Sequence, residues 1–272
     1  MRHRAVKCIA KDMTIPSFDK IAFTASNKPD AKNAISALIN LYGQSTPEEA
    51  DVIIALGGDG FMLQTLRQNM DILQKGTPIY GMNQGTIGFL MNEYNEDTLR
   101  ERLQAAIPTI VHPLKLIAKT KTQTYEQIAI NEVSLFRQTQ QAAHISVTVD
   151  GKVRLDKLIA DGILLATPAG STAYNLSAHG PVIPLGADIL ALTPISAFRP
   201  RRWRGALLKS NAKVTLTTLD PVKRPLSASA DNSDIRDVLS VSIEQDTRSN
   251  LTLLFDADHG LDEKILREQF TN

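Results

Sequence analysis

Gly57-Gly58-Asp59-Gly60 stands between an apolar run, Val52-Ile53-Ile54-Ala55-Leu56, and a stretch where Phe61, Met62, Leu63, Leu66 and Met70 recur at helical spacing. Glycines let a chain turn sharply and approach a ligand closely, and the unpaired N–H groups at a helix start attract phosphate oxygens. Two readings are open: a phosphate cradle, or a plain turn in which Asp59 caps the helix. The segment is neither a GxxxxGK[ST] loop nor a GxGxxG fingerprint, so a nucleotide held here is held by another geometry. A second run, Asp161 to Ser177, has an apolar strand emptying into a loop that carries Thr167, Ser171, Thr172, Tyr174, Asn175 and Ser177. Hydroxyls and an amide supply donors and acceptors, Tyr174 offers a stacking face with a polar tip, and Gly170 permits close backbone approach. Such a loop suits a polar, ring-bearing ligand; the alternative is an ordinary turn around a buried tyrosine.

Read together with Asn131-Glu132, these segments resemble bacterial NAD kinases. The likeness runs in order through Gly57 to Gly60, Gly81-Met82-Asn83, Gly85-Thr86-Ile87-Gly88-Phe89-Leu90, Asn131-Glu132, and Asp161-Gly162 leading to Gly170-Ser171-Thr172-Ala173-Tyr174. The glycine-aspartate tetrapeptide alone is shared with phosphofructokinases and with diacylglycerol or sphingosine kinases; the run in the second half is far more specific. The resemblance implies phosphoryl transfer from ATP, or inorganic polyphosphate, to the adenosine ribose 2′-hydroxyl of NAD, giving NADP. It also implies magnesium and a homo-oligomer, a dimer or a tetramer. Carried over by residue, Asp59 would orient the 2′-hydroxyl and take its proton, with Gly57, Gly58 and Gly60 shaping the phosphate side. An ordinary aspartate is a weak base toward a hydroxyl, but in a loose transition state the proton leaves late, so alignment matters more than basicity. Glu132 would grip the ribose hydroxyls and Asn131 the adenine edge, while Asp161, Ala169, Thr172, Ala173, Tyr174, Asn175 and Ser177 form the rest of the pocket. Phe89 packs against a ring in this scheme, and Asn232 joins the same pocket. Two positions depart from the family: Ala169 stands where Thr or Ser is common, and Ile159 where a basic residue often precedes the aspartate. The second departure bears on which side chain meets the dinucleotide phosphates. No metal ligand is assigned, because magnesium in such sites is often held by substrate phosphates and water. A lipid kinase would share the glycine loop but needs an apolar acceptor site, against which the polar Thr172 to Ser177 loop argues. A non-catalytic NAD or NADP sensor would keep the pocket but has no use for Asp59 beyond capping.

The elements that must position these residues divide the chain. Ala34, Ile35, Leu38 and Leu41 have helical spacing, Val52 to Leu56 reads as a buried parallel strand, and Pro78 to Met82 as a second. This order fits a doubly wound, Rossmann-like α/β domain over residues 1–112, whose ligands sit at the carboxyl ends of its strands. From Pro113 the texture is β-rich, and Ile145 to Val149 alternates at period two before Asp150-Gly151, a strong hairpin turn, and Lys152 to Leu158. Val214 to Leu219, Val238 to Ile243 and Leu251 to Phe255 repeat the pattern, so 113–258 is expected to be a mostly β dinucleotide-binding domain. Leu261, Ile265, Leu266 and Phe270 trace a helical stripe, and residues 259–272 are expected to return as a helix to the first domain.

Composition excludes several other functions. Thirty Lys and Arg against 29 Asp and Glu leave a net charge of +1, with no basic field for nucleic acid or an anionic membrane. At 43% hydrophobic and 22% charged, 272 residues can bury a real core, and no apolar run approaches the ~20 residues of a membrane span. Lys7 and Lys11 interrupt the amino terminus, which lacks a secretory core, so a cytoplasmic location is expected. Cys8 reads as a small core residue, and the five histidines show no metal-ligand spacing with it. His259 falls where some relatives of the family place a histidine, although a surface position is the plainer reading. Phe198 to Arg204 is the one dense basic patch; with balanced charge elsewhere, a solvated loop or a subunit contact through Trp203 is expected.

Overall fold

A computed structural model of the chain describes residues 18–85, 88–257, 263 and 266. The first domain is an α/β unit built on a six-stranded sheet. Its strands are β1 (Ile21–Ala25), β2 (Val52–Leu56), β3 (Ile79–Asn83), β4 (Asn92–Glu93), β5 (Ile107–Val111) and the last strand of the chain, β18 (Leu251–Phe255), which lies between β3 and β5. β1, β2 and β3 are parallel neighbours, with Ile21 opposite Val52 and Ile54 opposite Tyr80. Every side chain of β2 is buried, as the unbroken apolar run requires of a strand covered on both faces. Helices α1 (Pro29–Tyr42) and α4 (Leu99–Ala105) cover one face through Ala31, Ala34, Leu38, Leu99 and Leu103. Helices α2 (Asp59–Gln68) and α3 (Met70–Leu73) cover the other through Met62, Leu63, Leu66 and Leu73. The buried stripe of α1 does not extend to Leu41, which is 59% exposed.

The second domain is a sandwich of two antiparallel sheets. One contains β6 (Leu114–Lys119), β7 (Thr124–Ala129), β9 (Ala143–Val149), β10 (Lys152–Ala160), β14 (Val214–Thr218) and β17 (Ser240–Gln245). The other contains β8 (Glu132–Arg137), β11 (Gly162–Ala166), β12 (Ile189–Ile195), β13 (Ala206–Lys209), β15 (Leu226–Ala230) and β16 (Ser233–Ile235). Alternate residues such as Leu114 and Leu116, Val133 and Leu135, and Val214 and Leu216 interleave in a single core between the sheets. Asp150 and Gly151 have φ of 52° and 74° and connect β9 to β10, the positive-φ turn that the Asp-Gly pair predicts. The outer face of the second sheet is covered by the segment after β11, a 3₁₀ turn at Ala169–Thr172 and a short helix α5 (Tyr174–Ser177).

One strand is new and one expectation changes. Strand β1 carries no clear period and was not legible in the sequence. The return to the first domain also begins before residue 258: Leu251, Leu253 and Phe255 pack under α2 while Leu254 faces the α1 side, so β18 belongs to the first sheet. A strand buried on both faces is the same apolar run whether it lies in a sandwich or in a parallel sheet, and only its partners distinguish the two. Cys8, His259 and all of the expected final helix except residues 263 and 266 lie outside the described residues. Among the described residues no helix is long and apolar enough to cross a membrane.

Candidate functional site

The loop between β2 and α2 holds its aspartate in a fixed pose. Gly58 is the N-cap of α2 and Asp59 its first residue, half-buried, with a carboxylate that accepts from two backbone amides: Phe89 N–H to Oδ2 and Leu90 N–H to Oδ1, both at 2.9 Å. The backbone at Gly88 runs so close to this carboxylate that a methyl group there would collide with it. Asp59 thus caps a neighbouring loop rather than its own helix, which its sequence position alone did not suggest. A carboxylate has about four acceptor sites, so two remain for a hydroxyl. Nothing lies within 4 Å of where a side chain at Gly58 or Gly60 would project, leaving their backbone open to a ligand. Beside them, at the carboxyl ends of β1, β2 and β3, a cleft of 90 Å³ is lined by Ser26, Lys28, Gly57, Asn83 and Gly85 among others. The Ser26 hydroxyl there is buried without a hydrogen-bond partner.

The second part of the site belongs to the other domain. Asn131 Oδ1 and Glu132 Oε2 are both buried and unpartnered, two orphaned acceptors side by side in a protein where such groups are normally satisfied. Burial, and then the charge of Asp231, push the Glu132 carboxyl from its ordinary 4.5 up to about 8. Asp231 itself is spent on backbone: its carboxylate accepts from the N–H groups of Ile130 at 2.8 Å, Asn131 at 2.9 Å and Glu132 at 3.3 Å. Arg67 of α2 reaches it across the domain boundary, its Nη2 3.3 Å from Asp231 Oδ2 and 3.2 Å from the carbonyl of Ala230.

The segment after β11 is folded onto that pair. Thr167 donates its N–H to the Asn131 carbonyl at 2.9 Å, its hydroxyl binds the Ile130 carbonyl at 2.8 Å, and the same hydroxyl accepts from Gly170 N–H at 3.0 Å. Gly170 lies directly against the Asn131 carbonyl, with no room for a Cβ. Tyr174 follows, 38% exposed, with its pKa raised by burial and by the charges of Glu132 and Asp161. Thr172 is buried, Ala173 half-buried and Ser177 exposed. Asp161, at the opposite end of β11 from the Glu132–Ala166 pairing, is bound by Arg137, whose Nε lies 2.6 Å from its Oδ1.

The structure thus brings Asn131, Glu132, Thr172, Ala173 and Tyr174 together, with Asp59, Phe89, Gly57, Gly58 and Gly60 on the facing domain. Two expected pocket residues are corrected. Asn175 is fully buried and its amide is consumed by the carbonyls of Ser171 and Pro181 and the hydroxyl of Thr193, so it builds the loop and is not free for a ligand. Ala169 is 5% exposed and packs in the apolar cluster that joins the domains, with Ile130, Val182 and Leu185. Asn232 is exposed at the β15–β16 turn, while the side chain of its neighbour Asp231 holds the backbone of Ile130 to Glu132. Asp231, Arg67 and Arg137 carry no local pattern that marks them; each acts through a partner distant in sequence. In the basic patch, Arg199 stacks 5.6 Å from the Phe198 ring and Trp203 packs against the sandwich core, which accounts for both aromatics.

Comparison with known proteins identifies the relatives. The family model described as the ATP-NAD kinase N-terminal domain matches residues 3–112, and that of the ATP-NAD kinase C-terminal domain matches residues 130–234. The chain is 54% identical over 257 residues to an NAD kinase of Caulobacter vibrioides, covering 94% of this chain and 98% of the relative. It is 55% identical over 254 residues to an NAD kinase of Cereibacter sphaeroides, covering 92% and 98%. Among solved structures, yeast NADH kinase complexed with NADH superposes with a TM-score of 0.80 at 20% identity, covering 94% of this chain and 88% of that one. An Archaeoglobus fulgidus NAD kinase in complex with ATP gives 0.70 at 23% identity, covering 92% and 97%. At those identities the two structures speak for the fold.

Proposed function

The chain belongs to the NAD kinase family and phosphorylates the adenosine ribose 2′-hydroxyl of NAD to give NADP; from that premise we propose how its residues divide the work. The adjacent orphaned oxygens of Asn131 and Glu132 carry the assignment. Glu132 accepts from the ribose hydroxyls, Asn131 meets the adenine edge, and Tyr174 covers the base with its exposed ring. Asp59, held by two amides, turns its free lone pairs to the 2′-hydroxyl and aligns it with the terminal phosphorus of the donor. The hydroxyl oxygen forms the new P–O bond as the bond to the leaving diphosphate breaks, and the hydroxyl proton passes late to Asp59. ATP, with polyphosphate as the alternative donor, lays its phosphates against the open backbone of Gly58 and Gly60 and the cleft holding Ser26 and Lys28. Among the described residues no three of His, Cys, Asp and Glu converge on a cation position, so these side chains build no metal cage. Magnesium brought with the triphosphate would supply neutralisation of its phosphate charge, with no described side chain assigned as its ligand. An acceptor pocket lined by orphaned acceptors suits a sugar and not a lipid.

The test is to mix the protein with NAD, ATP and magnesium and assay NADP, beside Asp59→Asn. Wild-type turnover is expected, with a loss of at least ~100-fold in the variant. Turnover of a lipid but not of NAD, or NAD binding that no donor converts, contradicts the proposal.

A further inference from the structure

Asp59 and Arg67 sit on one helix, α2, about 12 Å apart along its axis at 1.5 Å per residue. The first is placed at the reacting hydroxyl; the second leaves the domain. Arg67 ends on Asp231, whose carboxylate is 1% exposed and grips the three consecutive amides of Ile130, Asn131 and Glu132. A buried carboxylate that accepts from so many amides fixes a backbone, and one partnered by an arginine from another domain also fixes where that backbone lies. We propose that Arg67 and Asp231 form a strap that sets the acceptor-sugar clamp in register with Asp59, making both of them positioning residues for phosphoryl transfer. The proposal rests on the site assignment above.

The strap predicts a division of labour. Asp231 shapes the Asn131–Glu132 segment itself, so its loss weakens the hold on NAD. Arg67 links that segment to α2 without shaping it, so its loss leaves the sugar bound but misaligned with Asp59. Misplacement of reacting groups by a fraction of an ångström shows in turnover more than in binding. Asp231 also faces Glu132 directly. Among the described residues, Tyr174 from α5 also feels the Glu132 charge, and Arg67 lies behind Asp231.

Five proteins decide it: wild type, Arg67→Met, Arg67→Lys, Asp231→Asn and the double variant Arg67→Met/Asp231→Asn, which closes a cycle. Arg67→Met is expected to lower kcat about tenfold with KM for NAD within about twofold, and Arg67→Lys to recover part of the loss. Asp231→Asn is expected to raise KM for NAD about tenfold, and the double variant to be no worse than the sum of effects allows for one shared unit, that is, markedly less than additive. Burial, and then the charge of Asp231, raise the Glu132 carboxyl, so Asp231→Asn is also expected to lower the pH at which the fall in thermal stability ends, near 8 in the wild type. Arg67→Met with kcat unchanged, or losses in kcat/KM and in melting temperature that simply add, overturns the strap. The cycle of melting temperatures needs no substrate, so its non-additivity judges the strap even where an NADP assay fails, an outcome that would count against the site assignment instead.

Discussion

Glu132 is the residue where structure and chemistry conflict most, and that conflict is the best mark of the site. A carboxyl meant to accept hydroxyl protons works as the anion, yet burial and Asp231 hold it up at about 8. Binding sugar hydroxyls stabilises the anion, so NAD affinity is expected to rise as pH increases through about 8 and to lose that dependence in Glu132→Gln, as isothermal titration across pH would show. The same shift has a sign for stability. Between its ordinary 4.5 and 8 the unfolded chain gives up the proton while the folded one keeps it, so folding weakens as pH rises through this window and the full penalty stands above it. Glu132→Gln should therefore melt higher than wild type at pH 9, by at least about 2 °C, with the difference vanishing near pH 4. Equal melting points at both pH values would show that the carboxyl is solvated.

At the level of elements, the site is made by loops pressed together rather than by long side chains reaching out. The segment after β11 is fixed to the Asn131 carbonyl through Thr167 and Gly170, and buttressed from behind by Asn175. A methyl group at Gly170 would meet backbone, which cannot swing aside as a flexible side chain can. Gly170→Ala is expected to cost about 1 to 3 kcal/mol of stability, the usual range for overpacking, and to weaken NAD binding by displacing Tyr174. A denaturant melt with an unchanged midpoint would show that the loop moves away freely. The loop's hydroxyls and amide signal a ligand in the sequence, but which of them face it does not follow from composition: Asn175 and Ser171 turn inward to hold the loop, and Tyr174 turns outward.

The whole molecule is two domains whose chain crosses between them twice. Residues 113–250 form the sandwich as an excursion from the first sheet, and β18 then returns to fill the place between β3 and β5. Its Leu251, Leu253, Leu254 and Phe255 reach both faces of that sheet. A chain ended at residue 250 is expected to lack a cooperative melt and to be insoluble, because β3 and β5 would face water along unpaired edges above a missing strip of core. A soluble, cooperatively melting truncation would mean that the sheet closes without β18. The apolar cluster containing Ile130, Ala169, Val182 and Leu185 alongside Met62, Leu90 and Met91 joins the domains on the same side as Arg67 and Asp231, so the site is framed by packing as well as by the ion pair.

Local pattern alone determined the two-domain plan, the strand–loop–helix around Asp59, the Asp150-Gly151 hairpin and the short segments where ligand chemistry gathers. These depend on periodicity, turn residues and side-chain type, which neighbours in sequence largely set. Only the tertiary structure decided that Asp59 is held by Phe89 and Leu90, that Glu132 is buried beside a second acid, that Asp231 holds the Ile130 to Glu132 backbone, and that β18 lies in the first sheet. Each of these is a meeting of residues some 30 to more than 160 positions apart in the chain, and a carboxylate's role depends on which donors and charges the fold brings to it, something no window of sequence contains.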